Sequence, residues 1–386
     1  MTQRVEPISS GQYFWMIMVS VMVGSVYLWP AYVVGLAGPG AYASLLAATV
    51  VAASVTVLQA AWMRRMDYRS YPAAMEATWS PWLAPVLTWI TMLLMLALDA
   101  VILYLYGELL QTFFYPATPS WVTVGTIGAL AVWIAVRSLT VVARNVQFWF
   151  PLLLASFLLV VALSAGDMRF PMAATPNLGV PPGVLARASV ATWFLYANPC
   201  TTAALLPHVR RTGRWSAGTV AVAAIALEGV ILMVILFIAL ATLGPAVIPD
   251  MTWPIIYIFS IVKLSSFFVQ DVGMLILIIW TTAIVLHLAV HSYVAAWNVG
   301  PPVGGYNPRR QYLVAGLGLA LVAGALSVGS VAEAEVWLFQ ILTPADLAWT
   351  VAVVAATTLV AWWRTRRTGA PDRAGGSGPG VPPRRV

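Results

Sequence analysis

The chain has 386 residues, of which 61% are apolar and only 9% are charged, whereas soluble proteins carry roughly 25% charged residues. Disordered, collagen-like and coiled-coil chains are excluded, because each requires a polar, glycine-periodic or heptad composition. The net charge of +7 is dispersed between apolar segments and does not indicate nucleic-acid binding. The single cysteine, Cys200, excludes an intramolecular disulfide and a cysteine-rich metal site. The composition indicates a polytopic membrane protein.

Ten apolar segments are long enough to cross a bilayer, which takes about 20 helical residues. We therefore predict an all-α integral membrane protein with ten transmembrane helices. The first segment is too long for the core of a signal peptide, so we expect it to remain as a span. A further apolar segment, 251–268, is interrupted by Pro254 and Lys263 and is predicted to be a re-entrant or surface helix outside the cytoplasm. The predicted spans are 12–34, 39–62, 84–113, 120–141, 146–165, 187–207, 215–243, 269–297, 311–329 and 345–363.

The basic residues predict the orientation of these spans. With the N-terminus inside, 17 of the 20 Lys and Arg residues fall on the cytoplasmic side, and only Arg169, Arg187 and Lys263 fall outside. This bias follows the positive-inside rule and places both termini in the cytoplasm. Residues 1–363 are predicted to form one transmembrane domain. The Gly/Pro-rich, basic segment 364–386 is predicted to be a disordered cytoplasmic tail.

Two of the predicted spans contain helix-breaking residues near their middle. In the first span, Gly24-Ser25 precedes Pro30, whose missing N–H leaves the carbonyl of Val26 without its helical partner. In the sixth span, Asn198-Pro199 is typical of a new helix start, because Asn is a good N-cap and Pro suits the first helical position. The carbonyl of Leu195 then loses its partner. Both spans are predicted to consist of two half-helices.

Paired interruptions in spans of opposite direction are typical of the central site of a transporter. Freed carbonyls accept an ammonium group, and the amides that open a half-helix bind a carboxylate, so we predict a zwitterionic amino acid as the ligand. The alternative is two kinked helices with packing roles only, since Gly and Pro are common in transmembrane helices. The predicted ligand-binding residues are Gly24, Ser25, Val26, Tyr27, Asp99, Leu195, Tyr196, Ala197, Asn198, Pro199, Cys200 and Trp280.

Four of these side chains have specific expected roles. Asp99, near the middle of the third span, is either a partner for the ligand ammonium group, a protonatable gate or a hydrogen-bonded structural acid. Tyr27 and Tyr196 flank the two breaks, and each can offer a hydroxyl to a ligand carboxylate. Trp280 in the eighth span is expected to line the pocket.

Other polar residues within the spans are less specific candidates. Glu108 and Glu228 are expected to be protonated or to have a polar partner, because no basic residue lies at central depth. Thr281 and Thr282 are candidates for a sodium site, although Thr often bonds to its own backbone in such helices. The pair His287 and His291 shares one helix face at a spacing that suits a metal, but no third ligand accompanies it in the sequence. We therefore predict no metal and no cofactor.

Several blocks of the sequence resemble one family. They are ISSGQYFWMIMVSVMVGSVYLWP, FFYPATPSW, VVARNVQFWFPLLL, PNLGVPPGVLARASVATWFLY and TWPIIYIFSIVKLSSFFVQDVGMLILIIWTTAIVLHLAVHSYVAAW. In order and spacing they are similar to the spore-germination permease-like family, the B subunits of nutrient germinant receptors, within the amino acid–polyamine–organocation superfamily. The resemblance covers about residues 8–300.

The resemblance implies a five-plus-five inverted repeat like the leucine-transporter fold, with a pocket between helices 1, 3, 6 and 8. It also implies a location in the spore inner membrane, sensing of a small germinant, and A and C partner subunits. We predict the amino-acid-binding subunit of a germinant receptor, with an ion-coupled amino acid permease of the same fold as the alternative. An enzyme is disfavoured, because the sequence has no nucleophile elbow, zinc motif or paired acid and base at catalytic spacing.

Overall fold

The computed structural model describes residues 7–26, 28–170, 172, 174–177, 179–196, 199–210, 215–261, 272–299 and 308–367. The described residues form fifteen α-helices that are joined by short turns and loops. The helices are α1 (Ser10–Met22), α2 (Trp29–Ala37), α3 (Ala41–Arg65), α4 (Tyr71–Thr78), α5 (Leu83–Phe113), α6 (Ser120–Ala135), α7 (Leu139–Ser164), α8 (Pro182–Thr192), α9 (Pro199–Leu205), α10 (Ala217–Leu243), α11 (Pro254–Ile261), α12 (Val272–Val299), α13 (Pro308–Leu326), α14 (Val331–Glu335) and α15 (Thr343–Arg367).

The helices confirm an all-helical membrane protein. Within the described residues, six helical stretches are long and apolar enough to cross a membrane. Two shorter apolar helices, Ser120–Ala135 and Arg310–Leu326, coincide with the predicted fourth and ninth spans. The six long stretches are Trp29–Arg65, Leu83–Phe113, Leu139–Ser164, Ala217–Leu243, Ile278–Val299 and Val331–Arg364.

The first and sixth predicted spans are interrupted where the sequence indicates. In the first span, α1 ends at Met22, a 3-10 turn covers Val23–Val26, and α2 begins at Trp29 with Pro30 in its first turn. In the sixth span, α8 gives way to the 3-10 turn Trp193–Tyr196, and α9 begins at Pro199. Both interruptions change the backbone from α to 3-10 geometry instead of only bending a continuous helix.

The predicted boundary between the fourth and fifth spans is wrong. The polar segment 142–145 was expected to connect them, but α6 ends at Ala135 and α7 begins at Leu139. The Ser138 side chain accepts a hydrogen bond from the Val141 amide and so caps α7 at its start. The cap therefore decides the boundary, and Arg144 lies inside the helix.

The last span begins earlier than predicted, at Val331 instead of residue 345. Ser330 caps α14 by accepting from the Glu333 amide, and a π-helical segment, Val336–Leu342, joins α14 to α15. Such π segments are rare and frequently lie at functional sites. The final helix extends to Arg367, four residues into the predicted tail. Residues 368–386 lie outside the described residues.

The segment between the seventh and eighth spans contains a short apolar helix, α11, at Pro254–Ile261. Residues 262–268 of the predicted re-entrant segment lie outside the described residues. The bulkiest fully buried side chains of the described residues include Trp29, Trp193, Tyr196 and Trp280. These aromatic residues belong to the two interrupted spans and to α12, so the packed core surrounds the interruptions.

Candidate functional site at the two interrupted spans

The two interruptions pack directly against one another. A Cβ atom added to Gly24 would lie 3.1 Å from Leu195 Cδ2 and 3.1 Å from Phe194 Cε2. Few real Cβ atoms lie this close to another group, so the two turns approach this closely because residue 24 has no side chain. The sequence predicted both interruptions, and the structure brings them into contact.

Among the predicted ligand-binding residues of the sixth span, Leu195, Tyr196 and Cys200 are buried. The Tyr196 hydroxyl lies 2.6 Å from the Thr49 hydroxyl on α3. The Cys200 sulfur lies 3.7 Å from the Met95 sulfur on α5. Pro199 is the first residue of α9. Tyr196 is therefore directed toward α3, and Cys200 toward α5.

The remaining predicted residues of the interruptions are only partly described. Ser25 and Val26 complete the 3-10 turn of the first span. Tyr27, Ala197 and Asn198 lie outside the described residues. The interruptions are thus defined by the helix ends on either side of them.

Trp280 lines a small apolar pocket beside the interruption of the first span. Its indole is 1% exposed, and within the described part of the chain its Nε1 atom has no hydrogen-bond partner. A buried indole N–H without a partner is costly and calls for an explanation. The residues that line the pocket are Val19, Met22, Val23, Phe150, Leu153, Trp280 and Ala283.

Asp99 joins two histidines in a buried triad. Its carboxylate oxygens lie 3.0 Å from His287 Nε2 and 2.9 and 3.0 Å from His291 Nδ1. His287 Nδ1 lies 3.2 Å from the carbonyl oxygen of Val19 on α1. The triad therefore links α5 and α12 to the half-helix that precedes the first interruption. The sequence places Asp99 in the site, but it does not assign the two histidines to it.

Within the described part of the chain, the three residues of the triad lie close enough together to hold a metal ion. One ligand atom of each lies within 4.8 Å of the others. The sequence identified the histidine pair but no third ligand. The third ligand, Asp99, is 188 positions before His287, so sequence spacing could not reveal it.

A second acid reaches the interruption of the sixth span from the last helix. Trp193 Nε1 donates a hydrogen bond of 2.7 Å to Asp346 Oδ2, and Asp346 is buried. This bond ties the 3-10 turn of the sixth span to α15. Sequence reasoning missed Asp346, although a lone acid in an apolar span is a usable signal.

The less specific candidate residues from the sequence lie on three different helices, α5, α10 and α12. Glu228 on α10 is fully buried, and neither of its carboxyl oxygens has a hydrogen-bond partner among the described residues. Glu108 is half-buried on α5. The Thr281 hydroxyl lies 2.7 Å from the Tyr106 hydroxyl on α5, and Thr282 is half-buried. The suggested sodium site at these two threonines stays a prediction.

Hydrogen bonds join the two interrupted spans at one end. The Ile8 amide donates to the His208 carbonyl, and the Arg210 amide donates to the Ile8 carbonyl, both at 2.9 Å. The Tyr13 hydroxyl donates to the Thr202 carbonyl at 3.0 Å. These bonds hold α1 against α9 and the turn that follows it.

Aromatic rings close the opposite side of the interruptions. Tyr32 on α2 stacks on Phe339 with ring centroids 4.1 Å apart. Phe194 meets the same ring edge-on at 5.7 Å. Phe339 belongs to the π-helical segment, so this segment packs against α2 and the 3-10 turn of the sixth span.

We expect Trp193→Phe to lower the free energy of unfolding by about 1–3 kcal/mol, because it leaves the Asp346 carboxyl buried without its donor. Trp193→Phe/Asp346→Leu removes both polar groups and is expected to recover most of this loss. The measurement is thermal unfolding in detergent. Trp82→Phe is the matched control, because Trp82 is 87% exposed. Equal effects of Trp193→Phe and Trp82→Phe would contradict a stabilising role for the bond.

The comparisons identify the family. The family model described as spore germination protein matches residues 7–300. The chain belongs to the spore germination protein family. The crystal structure of MhsT in complex with L-phenylalanine is similar, with a TM-score of 0.62 and 15% sequence identity over 93% of this chain and 96% of that chain. At this identity the likeness shows the fold, which is leucine-transporter-like. No curated protein matches the chain.

Membership confirms several predictions for this spore germination protein. It is a multi-pass membrane protein of the B-subunit family of germinant receptors, and it belongs to a family of receptor and transporter-like proteins that are not enzymes. The predicted resemblance covered about residues 8–300, which agrees with the matched range.

Proposed function

We propose that this spore germination protein is the ligand-binding subunit of a nutrient germinant receptor, with a small amino acid as germinant. The contact between the two interruptions, at Gly24 and the Phe194–Leu195 pair, carries the proposal. Interrupted membrane helices expose backbone groups that lipid cannot satisfy. Two such interruptions side by side offer carbonyls to an ammonium group and half-helix amides to a carboxylate.

The apolar wall of the neighbouring pocket, which has no free space for a ligand in this closed arrangement, favours an uncharged amino acid as the ligand once the pocket widens. Val19, Met22, Val23 and Ala283 supply only apolar side-chain atoms to its wall. The buried Trp280 N–H is a donor without a partner among the described residues, and a ligand oxygen would satisfy it. A charged ligand side chain in this pocket would lose its hydration without a compensating ion. We therefore favour a neutral, apolar amino acid.

The proposal includes ten spans in a five-plus-five inverted repeat, with interruptions in the first and sixth spans. The half-helices α1–α2 and α8–α9, together with eight further helices in the predicted order, support this arrangement. Both termini are proposed to face the cytoplasm from the spore inner membrane, because the basic residues follow the positive-inside rule. A and C subunits are the proposed partners.

Ligand binding would be read out as a change of conformation. The contacts at the two ends of the interruptions describe a closed state, in which Ile8 pairs with the segment 208–210 and Tyr32 stacks on Phe339. A ligand shifts the balance between closed and open states only if it binds one of them more tightly. The partner subunits would respond to this shift.

The test is a thermal-shift screen of the purified full chain against common amino acids, nucleosides and sugars. We expect a neutral amino acid to raise the melting temperature. We expect Asn198→Ala to weaken its binding about tenfold, because the sequence predicts that Asn198 caps the second half-helix. Asn145→Ala is the control, because the Asn145 side chain donates to the Val141 carbonyl of its own helix. If no amino acid binds, or if Asn198→Ala binds the amino acid as tightly as wild type, the proposed site is wrong.

A permease of the same fold is the second candidate function. The contacts that close both ends of the interrupted spans favour it, because alternating access requires a gate on each side. Gradient-driven uptake of the labelled amino acid by proteoliposomes would establish transport. Saturable binding without uptake would support a receptor.

A further inference from the structure

We propose that Asp99, His287 and His291 form a binding site for one divalent transition-metal ion of the zinc type. The three ligand atoms come from α5 and α12 and lie within 4.8 Å of one another. Two imidazoles and one carboxylate form a ligand set that suits zinc and neighbouring metals. The inference does not depend on the identity of the germinant.

The contacts of His287 call for a hydrogen or a cation between the ring and Asp99. The Val19 carbonyl can only accept a hydrogen bond, so the ring nitrogen that faces it, Nδ1, carries the hydrogen. The other nitrogen, Nε2, then presents a lone pair at 3.0 Å from a carboxylate oxygen of Asp99. Two acceptors at this distance repel unless a hydrogen or a metal ion lies between them. In the metal-free protein a hydrogen fills this position, and we propose that a metal ion can take its place. The bond to Val19 is the outer contact that typically orients metal-binding histidines.

His291 completes the ligand set. Together with His287 it places two imidazoles on one helix face at positions i and i+4, the spacing that helical zinc motifs use. Its Nδ1 atom lies 2.9 and 3.0 Å from the two Asp99 oxygens. Neighbouring ligand atoms around tetrahedral zinc lie roughly 3.3 Å apart, as zinc–ligand bonds of about 2.0–2.2 Å require. The contacts between Asp99 and the two imidazoles therefore need to lengthen by only a few tenths of an ångström.

The surroundings favour a metal that stabilises a conformation and does not catalyse a reaction. The side chains of the triad are at most 2% exposed, so no substrate reaches them in this arrangement. A carboxylate at this depth is costly, and a bound cation offsets part of that cost. The metal would hold α5 to α12 and, through His287 and Val19, would fix the half-helix that precedes the first interruption. We therefore expect metal binding to favour the closed state.

The experiment measures zinc binding by the full chain, purified in detergent with an affinity tag that contains no histidine. After treatment with a chelator, we expect the protein to take up one zinc ion per chain from zinc chloride, and X-ray absorption to show two imidazole ligands. Asp99→Asn and His291→Gln are each expected to weaken zinc binding by at least about 100-fold, more than loss of an outer contact costs.

The third histidine of the chain provides the matched control. His208 lies outside the triad, against the Trp297 ring with centroids 5.4 Å apart, so His208→Gln is expected to retain zinc. The absorption spectrum of the wild type tests the site even if a variant fails to fold. Substoichiometric zinc in the wild type, a zinc spectrum without imidazole ligands, or equal loss in His208→Gln and His291→Gln would overturn the proposal. Nitrogen NMR that finds a hydrogen on His287 Nε2 in zinc-treated protein would also overturn it.

Discussion

Asp99→Ala is expected to lower the free energy of unfolding of the metal-free protein by about 2–5 kcal/mol, because two buried imidazoles lose their partner together. His287 Nε2 and His291 Nδ1 lie 3.0 and 2.9 Å from the Asp99 carboxylate, and the side chains are almost completely buried. Water cannot reach the freed nitrogens without opening the bundle. The effect is measured by unfolding in detergent with a chelator present, so that any metal contribution is absent.

Two further variants test whether the loss of stability in Asp99→Ala comes from its contacts with the two histidines. Asp99→Asn keeps one acceptor oxygen and a similar volume, so it is expected to cost about half as much as Asp99→Ala. Asp250→Ala removes an exposed acid and is expected to change stability by less than about 0.5 kcal/mol. If Asp99→Ala were as mild as Asp250→Ala, the triad would contribute nothing to the fold.

Gly24→Leu is expected to abolish measurable amino acid binding and to destabilise the closed state by about 1–3 kcal/mol or more, as overpacking does. The Cβ alone would lie 3.1 Å from Leu195 and from Phe194, and the rest of a leucine side chain has no space. The two 3-10 turns would therefore have to separate. Binding is measured by thermal shift and by equilibrium dialysis with the labelled amino acid.

Gly316→Leu is the matched control for Gly24→Leu. An added Cβ at Gly316 would meet no atom within 4 Å, so the same substitution on α13 is expected to leave binding unchanged. Gly24→Ala should have an intermediate effect, because Phe194 and Leu195 need to move only a little. Normal binding by Gly24→Leu would show that the close approach of the turns is not needed for the ligand.

The interruptions could be predicted from local chemistry. Pro30 and Pro199 remove backbone donors whatever they pack against, and Asn198-Pro199 is a helix start by its own preferences. The α-helices begin and end near these residues as expected. Where a single capping side chain sets the start of a helix, the length of the apolar segment does not predict that start. Ser138 and Ser330 move two predicted helix starts by capping the backbone at positions that hydropathy does not mark.

The site was only partly predictable for the same reason. Asp99 and Tyr196 could be singled out because polar groups at central depth are costly in lipid. Their partners could not, because Thr49 and His287 are distant in sequence and only packing brings them close. Asp346 shows the same limit, since its partner Trp193 lies on another helix, 153 positions away.

By itself, the sequence determined the membrane class, the two interrupted spans and the family. Hydropathy and the backbone limits of proline act locally, and they hold before any helix has a neighbour. The tertiary structure decided which polar groups meet: Gly24 with the sixth-span turn, Asp99 with two histidines, and Trp193 with Asp346. Those pairings depend on how helices pack, and packing depends on side-chain shape across long sequence distances.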